Sequence, residues 1–243
     1  MMPRLRALLR LTSLQASYTY ERMQGVGIAV AEEPLLEPLQ GEPERARLAR
    51  SRAAQYFNAH PFLGGAAVGA LARAELDGEP GERILRLRTA LSGPLGALGD
   101  QLFWAGIVPI VMGLCLIAVA AGGGLIVVGL AVIGYNVLRV LVTWWGLRIG
   151  LAHGLTVAHA ISASALPVMA ARAATVAAVV VGAAIPWVAA WLLRGTGQPL
   201  RGTILLVGGA FVLGVVTLRR PLPAPALTLA AAALTLLWRW GSP

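Results

Sequence analysis

The polar side chains best suited to binding a ligand lie in the first 100 residues, and Asp100 is the most informative of them. It is the last acidic residue of the chain, because none occurs from Gln101 to Pro243. Four residues that disfavour helices precede it closely: Gly93, Pro94, Gly96 and Gly99. Such residues free backbone groups that lipid cannot satisfy, so the stretch must be buried in protein or line a polar cavity. We therefore expect Asp100 to face water or a polar partner, or to cap the helix that follows it.

Two further side chains could share a polar site with this carboxylate. Asn58 and His60 lie in a short polar segment that precedes a run of small residues. An amide and an imidazole supply both donors and acceptors, so they could bind the backbone of a hairpin or a neutral polar ligand.

Residues that usually carry metal or nucleophilic chemistry are badly spaced in this chain. His153 and His159 fall on different faces of a helix, and no carboxylate accompanies them. Ser162 and Ser164 have no acid nearby, and the single cysteine, Cys115, lies in an apolar run. We therefore predict neither a metal site nor a cofactor nor a nucleophilic triad.

The composition is that of a membrane protein. Of the 243 residues, 57% are hydrophobic, and all 11 acidic residues lie before position 101. The remainder carries arginine without any acid, as expected where arginines anchor membrane spans to lipid phosphates. No soluble domain with a basic face is evident, so we expect a lipid bilayer and no nucleic acid as partner.

The elements that position the polar residues begin with a predicted amphipathic helix. Residues 1–15 place leucines on one face and arginines elsewhere, which suits a helix on the lipid headgroups or one packed on its own membrane domain. Residues 32–43 are rich in proline and glutamate and predict an exposed loop, whereas residues 44–56 predict a charged helix on the cytoplasmic side.

Residues 57–101 predict a re-entrant hairpin region. Residues 63–71 form an arm too short to cross a bilayer, and residues 77–81 form a turn. Residues 83–90 then lead into the stretch that ends at Asp100. Paired short apolar segments interrupted by glycine and proline are typical of transport sites.

Apolar runs after Asp100 predict about five membrane-spanning helices, at residues 102–121, 125–147, 174–193, 203–218 and 222–238. Glycines four residues apart predict close helix packing in two places, Gly65 with Gly69 and the series Gly146, Gly150 and Gly154. The predicted fold is therefore all-α, a polytopic membrane protein with an amphipathic N-terminal helix and short re-entrant hairpins. We expect one domain over residues 1–243, with the membrane helices in residues 102–243.

Three sequence blocks together resemble one known family. Residues 91–104 have the sequence LSGPLGALGDQLFW, which contains the pattern G-P-L-x-x-x-G-D-x-x-F-W. Residues 15–25 are QASYTYERMQG, and residues 56–62 are YFNAHPF. In order and spacing these blocks resemble the IID membrane component of mannose/fructose/sorbose-type sugar phosphotransferase systems.

The resemblance implies a role in sugar transport. A IID subunit pairs with a IIC subunit in the bacterial cytoplasmic (inner) membrane, and the pair translocates a hexose. The cytoplasmic IIA and IIB proteins carry the phosphoryl group to that sugar, so the IID chain is not an enzyme by itself and His60 is not a phosphoryl acceptor. The resemblance implies a substrate lining of Asp100, Asn58 and His60, a hairpin shaped by Gly93, Pro94, Gly96 and Gly99, and a partner contact or pathway lining of Gln15, Tyr20, Glu21 and Arg22.

Two departures from the family pattern leave alternatives open. Gln101 replaces the proline or serine that commonly follows the signature aspartate, and residues 194–203 leave no room for the long insert of sugar-transporting members. The alternatives are a regulatory or orphan IID-like protein of a signalling branch that moves no sugar, and a membrane structural protein without a IIC partner.

Overall fold

A computed structural model of the protein describes residues 2–193. The α-helices in this range are α1 Met2–Leu11, α2 Gly25–Glu32, α3 Pro43–Ala53, α4 Gly64–Leu76, α5 Gly81–Gly99, α6 Val108–Ala120, α7 Gly124–His153, α8 Val157–Ser162 and α9 Leu166–Leu193. Short 3₁₀ helices occupy Leu14–Ser17, Glu33–Gly41, Pro61–Leu63 and Gly154–Thr156, and a π-helix occupies Asp100–Ile107. No strand occurs in this range, which confirms the predicted all-α class. The predicted spans at 203–218 and 222–238, and the short segment 194–203, lie outside the described residues.

The chain divides into two compact units, of which the first contains Met1–Val111 and Gly129–Ala178. Helix α4 lies at the centre of this first unit and is buried along almost its whole length, mostly through alanine and glycine. In the second unit, Met112–Val128 and Val179–Pro243, Gly113 lies against Val180, so closely that a Cβ atom at Gly113 would be 2.8 Å from Val180 Cγ1.

The crossing of α4 and α7 confirms the packing predicted from the glycine spacing. A Cβ atom at Gly146 would lie 3.0 Å from the backbone nitrogen of Ala66, and one at Gly150 would lie 2.7 Å from that of Ala70. Side chains on Gly65 and Gly69 would likewise overlap backbone atoms of α7. The two helices therefore meet backbone to backbone, which small residues alone permit.

Three helical stretches in the described residues are long and apolar enough to cross a bilayer. They are Gly81–Ala120, Gly124–Ser162 and Leu166–Leu192, of 40, 39 and 27 residues. The predicted spans 102–121, 125–147 and 174–193 fall within or almost within these stretches, which are longer than the sequence indicated because the helices extend beyond the apolar runs.

The stretch before Asp100 is helical, so the expected interruption at Gly93, Pro94, Gly96 and Gly99 is wrong. All four residues belong to α5, which continues through the π-helix into α6. The turn predicted at residues 77–81 is present between α4 and α5, where Gly78 adopts a φ of +74°. A π-helix is a wider helical turn that interrupts an α-helix without ending it, and such segments are frequent at functional sites.

The N-terminal helices differ from the predicted picture in one respect. Residues 32–43 do not form an exposed loop, because Glu33–Gly41 is a 3₁₀ helix whose Leu35, Leu36 and Leu39 are buried. Helix α1 packs on α2 and on this 3₁₀ helix, with Ala7 and Leu11 buried and an ion pair of 2.8 Å between Arg6 and Glu37. Prolines are compatible with 3₁₀ turns, and the leucines between them gain stability by burial against α1.

Candidate polar site beside the long helix

The residues that lead from the end of α3 to the next 3₁₀ helix, residues 53–60, lie along one face of α5, and we call them the site segment. Ser92 accepts a hydrogen bond of 3.1 Å from the backbone nitrogen of Asn58 and donates one to its carbonyl oxygen. Further along the same face, a Cβ atom at Gly96 would lie 3.8 Å from the Cα atom of Ala59. At Gly99 a Cβ atom would overlap the His60 side chain. Gly96 and Gly99 therefore leave a groove on the surface of α5, and the site segment lies in this groove.

A cavity of about 350 Å³ opens between the site segment and α5. It is lined by residues of the N-terminal block, the site segment and the helix: Gln15, Tyr18, Asn58, Ala59, His60, Pro61, Ser92, Gly93, Gly96, Ala97, Asp100 and Trp104. The cavity therefore brings together all three predicted substrate-lining residues, Asp100, Asn58 and His60. Gln15 also lines it, as do Gly93 and Gly96, whereas Gly99 lies behind His60.

His60 is buried, with 1% of its surface exposed, and its two ring nitrogens have different environments. Nδ1 accepts a hydrogen bond of 3.3 Å from the backbone nitrogen of Phe62, and Nε2 has no partner. The imidazole stacks on Phe103 at 5.0 Å between ring centroids. Burial lowers the pKa of His60 from 6.5 to about 4, against the opposing charge of Asp100. A neutral ring that accepts at Nδ1 must carry its proton on Nε2, which is then a donor without a protein partner.

Asp100 is exposed at the first position of the π-helix, on the cavity wall. The alternative role, capping the N-terminus of the following helix, has no place here because the helix is continuous through Gly99 and Asp100. The Asp100 carboxylate supplies an acceptor, and the His60 imidazole supplies a donor. The indole of Trp104, half exposed and 5.4 Å from the His60 ring, adds an aromatic wall.

Gln24 holds the site segment from the side opposite to α5, and sequence reasoning did not single it out. Its side chain is fully buried. Nε2 donates to the carbonyl oxygen of Ala59 at 2.5 Å and to the hydroxyl of Tyr18 at 2.7 Å, and Oε1 accepts from the nitrogen of Ala59 at 3.3 Å. A glutamine in an exposed-looking polar block carries no sequence signal for this role, because its partner in the site segment, Ala59, is 35 residues away along the chain.

The remaining residues of the predicted partner contact lie outside the cavity. Tyr20, Glu21 and Arg22 are exposed at the tip of a tight turn, which two hydrogen bonds between Thr19 and Met23 close at 2.8 and 3.2 Å. Tyr20 is 99% exposed. These side chains can therefore contact another molecule but do not line the cavity.

The arrangement suits a neutral, hydroxyl-rich ligand better than bond-breaking chemistry. An exposed carboxylate and an indole supply a hydrogen-bond acceptor and an apolar face beside the buried imidazole, while no nucleophile there is paired with a base. Within residues 2–193 no three metal-ligating side chains come together. Over the described residues the chain is thus an all-helical membrane protein with a small polar cavity.

Comparison with known proteins names the family. The family model described as the PTS system mannose/fructose/sorbose family IID component matches residues 3–192. The chain therefore belongs to this family, which confirms the resemblance found in the three sequence blocks.

Curated relatives extend beyond the matched region. The fructose permease IID component of Bacillus subtilis is 26% identical over 182 residues, which cover 73% of this chain and 66% of that protein. The sorbose-specific EIID component of Lacticaseibacillus casei is 29% identical over 63% of this chain and 55% of its own length. The mannose-specific EIID component of Escherichia coli K12 is 28% identical over 61% of this chain and 54% of its own length. The chain thus spans between about half and two thirds of the length of these relatives.

Solved structures show the same fold. One is described as the structure of a membrane protein and aligns with a TM-score of 0.65 at 22% identity, over 89% of this chain and 96% of that chain. A second is the cryo-EM structure of the mannose transporter ManYZ in complex with microcin E492. It aligns with a TM-score of 0.58 at 21% identity, over 91% of this chain and 97% of that chain. At these identities the likeness establishes the fold alone.

Proposed function

We propose that this chain is the membrane subunit of a sugar phosphotransferase permease that pairs with a IIC subunit and translocates a hexose, which a IIB protein phosphorylates. Family membership and the fold support this assignment. The single observation that carries it within the molecule is the cavity between the site segment and α5, which brings Asp100, Asn58 and His60 together.

The proposed binding mode follows from the cavity walls. Asp100 accepts hydrogen bonds from sugar hydroxyls, Asn58 offers an amide at the rim, and the buried His60 ring forms part of the cavity wall. A pyranose needs several hydrogen bonds and one apolar face, and Trp104 lies where it can cover that face. The cavity, about 350 Å³, is within the range of small-ligand sites.

The architecture we propose for the membrane has five spans, of which the stretches Gly81–Ala120, Gly124–Ser162 and Leu166–Leu192 are three. Residues 1–243 then act as a single membrane domain. The exposed turn with Tyr20, Glu21 and Arg22 is the proposed contact with another subunit. His60 is unsuited to accept a phosphoryl group, since its ring is buried, packed on Phe103 and bonded through Nδ1.

Asp100→Asn tests the assignment directly, since it keeps the shape of the side chain and removes the charge. We expect sugar uptake to fall by about tenfold or more, because hydrogen bonds to a charged acceptor contribute roughly 1.5–3 kcal/mol. The measurement is uptake and phosphorylation of labelled mannose, fructose and sorbose in cells that express the complete system. Asp77→Asn is the matched control, because Asp77 is paired with Arg73 at the far end of α4. Full uptake by Asp100→Asn would remove Asp100 from the site, and no uptake of any hexose by the wild type would remove the transport assignment.

A further inference from the structure

Arg88 holds the beginning of the site segment and has no assigned role so far. It lies on the same face of α5 as Ser92, one turn before it, and is 3% exposed. Its guanidinium donates to three backbone carbonyl oxygens of the segment, at 2.7 Å to Ala53, 2.6 Å to Gln55 and 3.2 Å to Tyr56. It also lies over the ring of Phe57, 5.3 Å from its centroid. Arg88 therefore fixes the residues that lead directly into Asn58 and His60.

A buried carboxyl group, that of Glu32, faces Arg88 without an ion pair. Glu32 is 1% exposed, and its Oε2 atom has no hydrogen-bond partner. Glu32 and Arg88 share a narrow gap that has no room for a water molecule, so water cannot satisfy that oxygen. An unpaired ionised carboxylate in such a place is costly, so the arrangement requires a neutral Glu32.

The charges around Glu32 show why it is unpaired. Arg52 of α3 is engaged by Glu75 of α4 in two hydrogen bonds of 2.7 and 2.6 Å. Glu75 and the adjacent Glu33 both oppose the ionisation of Glu32, while Arg88 and Arg52 favour it. From α1, Arg10 reaches the carbonyl oxygen of Val30 rather than Glu32. Burial is the largest effect and raises the pKa of Glu32 from 4.5 to about 8.

We propose that Arg88 is a positioning residue for the sugar site and that the proton on Glu32 decides whether Arg88 holds the site segment. While Glu32 is neutral, nothing competes with the three carbonyl oxygens for the guanidinium. When Glu32 releases its proton to solvent, the new carboxylate is a stronger acceptor than a carbonyl, so Arg88 turns to it. The site segment then loses its three hydrogen bonds to Arg88, and Asn58 and His60 are held less firmly because only the side chains of Ser92 and Gln24 still bind the segment. This inference rests on the proposed function only where it concerns sugar.

Hydrogen–deuterium exchange of the full chain, in its complex and in lipid nanodiscs, tests the proposal. The amides of Phe57, Asn58 and Ala59 are hydrogen-bonded in the anchored segment, so their exchange reports its release. We expect exchange, corrected for the intrinsic pH dependence, to rise about tenfold between pH 7 and pH 9, following the ionised fraction of a group that titrates near 8. Glu32→Gln, which mimics the neutral acid, should abolish this rise. Glu44→Gln, at an exposed position of α3, should leave it unchanged.

Arg88→Lys gives a second, independent test at pH 7. A lysine keeps the charge but cannot reach three carbonyl oxygens, so we expect faster exchange in residues 53–60 with no change in α4. Arg86→Lys, at an exposed position of the same helix, is the control. Should Arg88→Lys fail to fold, Glu32→Gln still decides the matter, since it removes one proton-exchanging group and adds no bulk.

The outcomes separate this proposal from the proposed function. A rise in exchange that persists in Glu32→Gln, or equal protection in Arg88→Lys and wild type, would overturn the positioning role. Binding of labelled mannose, fructose and sorbose is measured on the same samples at pH 7 and pH 9. If exchange follows Glu32 but no hexose binds, the positioning role stands and the sugar site is wrong. If a hexose binds equally at both pH values while exchange does not change, the sugar site stands and the positioning role is wrong.

Discussion

Position 99 requires a glycine, because the side chain of His60 lies directly against it. A Cβ atom there would overlap the Cβ and Cγ atoms of His60, and neither partner can yield easily. His60 is fixed by the ring of Phe103 and by its hydrogen bond from Phe62, and Gly99 is in the middle of a continuous helix. Substitution of Gly99 by alanine must therefore move the helix or the site segment.

Gly93 is the matched reference for this substitution. It lies in the same helix, and a Cβ atom there would meet nothing within 4 Å. Alanine is better than glycine in a helix by roughly 1 kcal/mol, and this gain is common to Gly93→Ala and Gly99→Ala. Overpacking costs typically about 1–3 kcal/mol and applies to Gly99 alone. We therefore expect Gly93→Ala to be stabilising and Gly99→Ala to be less stable than it by about 1–3 kcal/mol.

The assay is thermal unfolding of the purified variants in one detergent, with hexose affinity measured on the same preparations. Because His60 must shift in Gly99→Ala, its affinity for the hexose should fall together with its unfolding temperature. If Gly99→Ala unfolds at the same temperature as Gly93→Ala and binds hexose like the wild type, then Gly99 is not in contact with His60. The groove on α5 would then have to be abandoned.

Three further predictions concern other contacts of the same unit. Gly150→Ala should destabilise the protein by about 1–3 kcal/mol through the helix crossing, whereas Gly134→Ala, on an open face of α7, should not; unfolding temperatures decide. Ser92→Ala should cost about 1 kcal/mol and loosen the site segment, whereas Thr89→Ala, whose hydroxyl bonds only its own helix, should cost little; equal costs would contradict the role of Ser92. The depressed pKa of His60 means that the unfolded chain binds more protons between about pH 6.5 and 4. Stability should fall by about 3 kcal/mol as the pH drops through this window, and His60→Gln should lack that loss in acid titrations of unfolding.

Features that depend on local spacing could be predicted from the sequence. The four-residue spacing of Gly65 with Gly69 and of Gly146 with Gly150 is a property of one helix face, so it predicted where two helices meet backbone to backbone. The polar types and positions of His60 and Asp100 similarly indicated a shared site, and the cavity brings them together.

Features that depend on residues far away along the chain could not be predicted from the sequence. The glycines before Asp100 indicated a broken helix because local propensity is all that a single sequence displays. In the structure, the space left by the missing side chains is filled by residues more than 30 positions earlier, and this packing keeps the stretch helical. Residues 32–43 were misassigned for the same reason, because the burial of Leu35 and Leu36 against α1 outweighs the local preference for a loop.

The signature stretch thus has a different physical purpose from the one its composition suggests. A helix with a side chain at position 99 would hold the site segment away, and the imidazole of His60 could not lie against α5 and stack on Phe103. A helix broken at residues 93–99 would not keep position 99 on the same face as Arg88 and Ser92, which bind the segment. Both requirements are met only if the helix is continuous and has no side chain where the segment touches it. The glycines therefore determine how closely the segment approaches, and the polar residues beside them determine what it can bind.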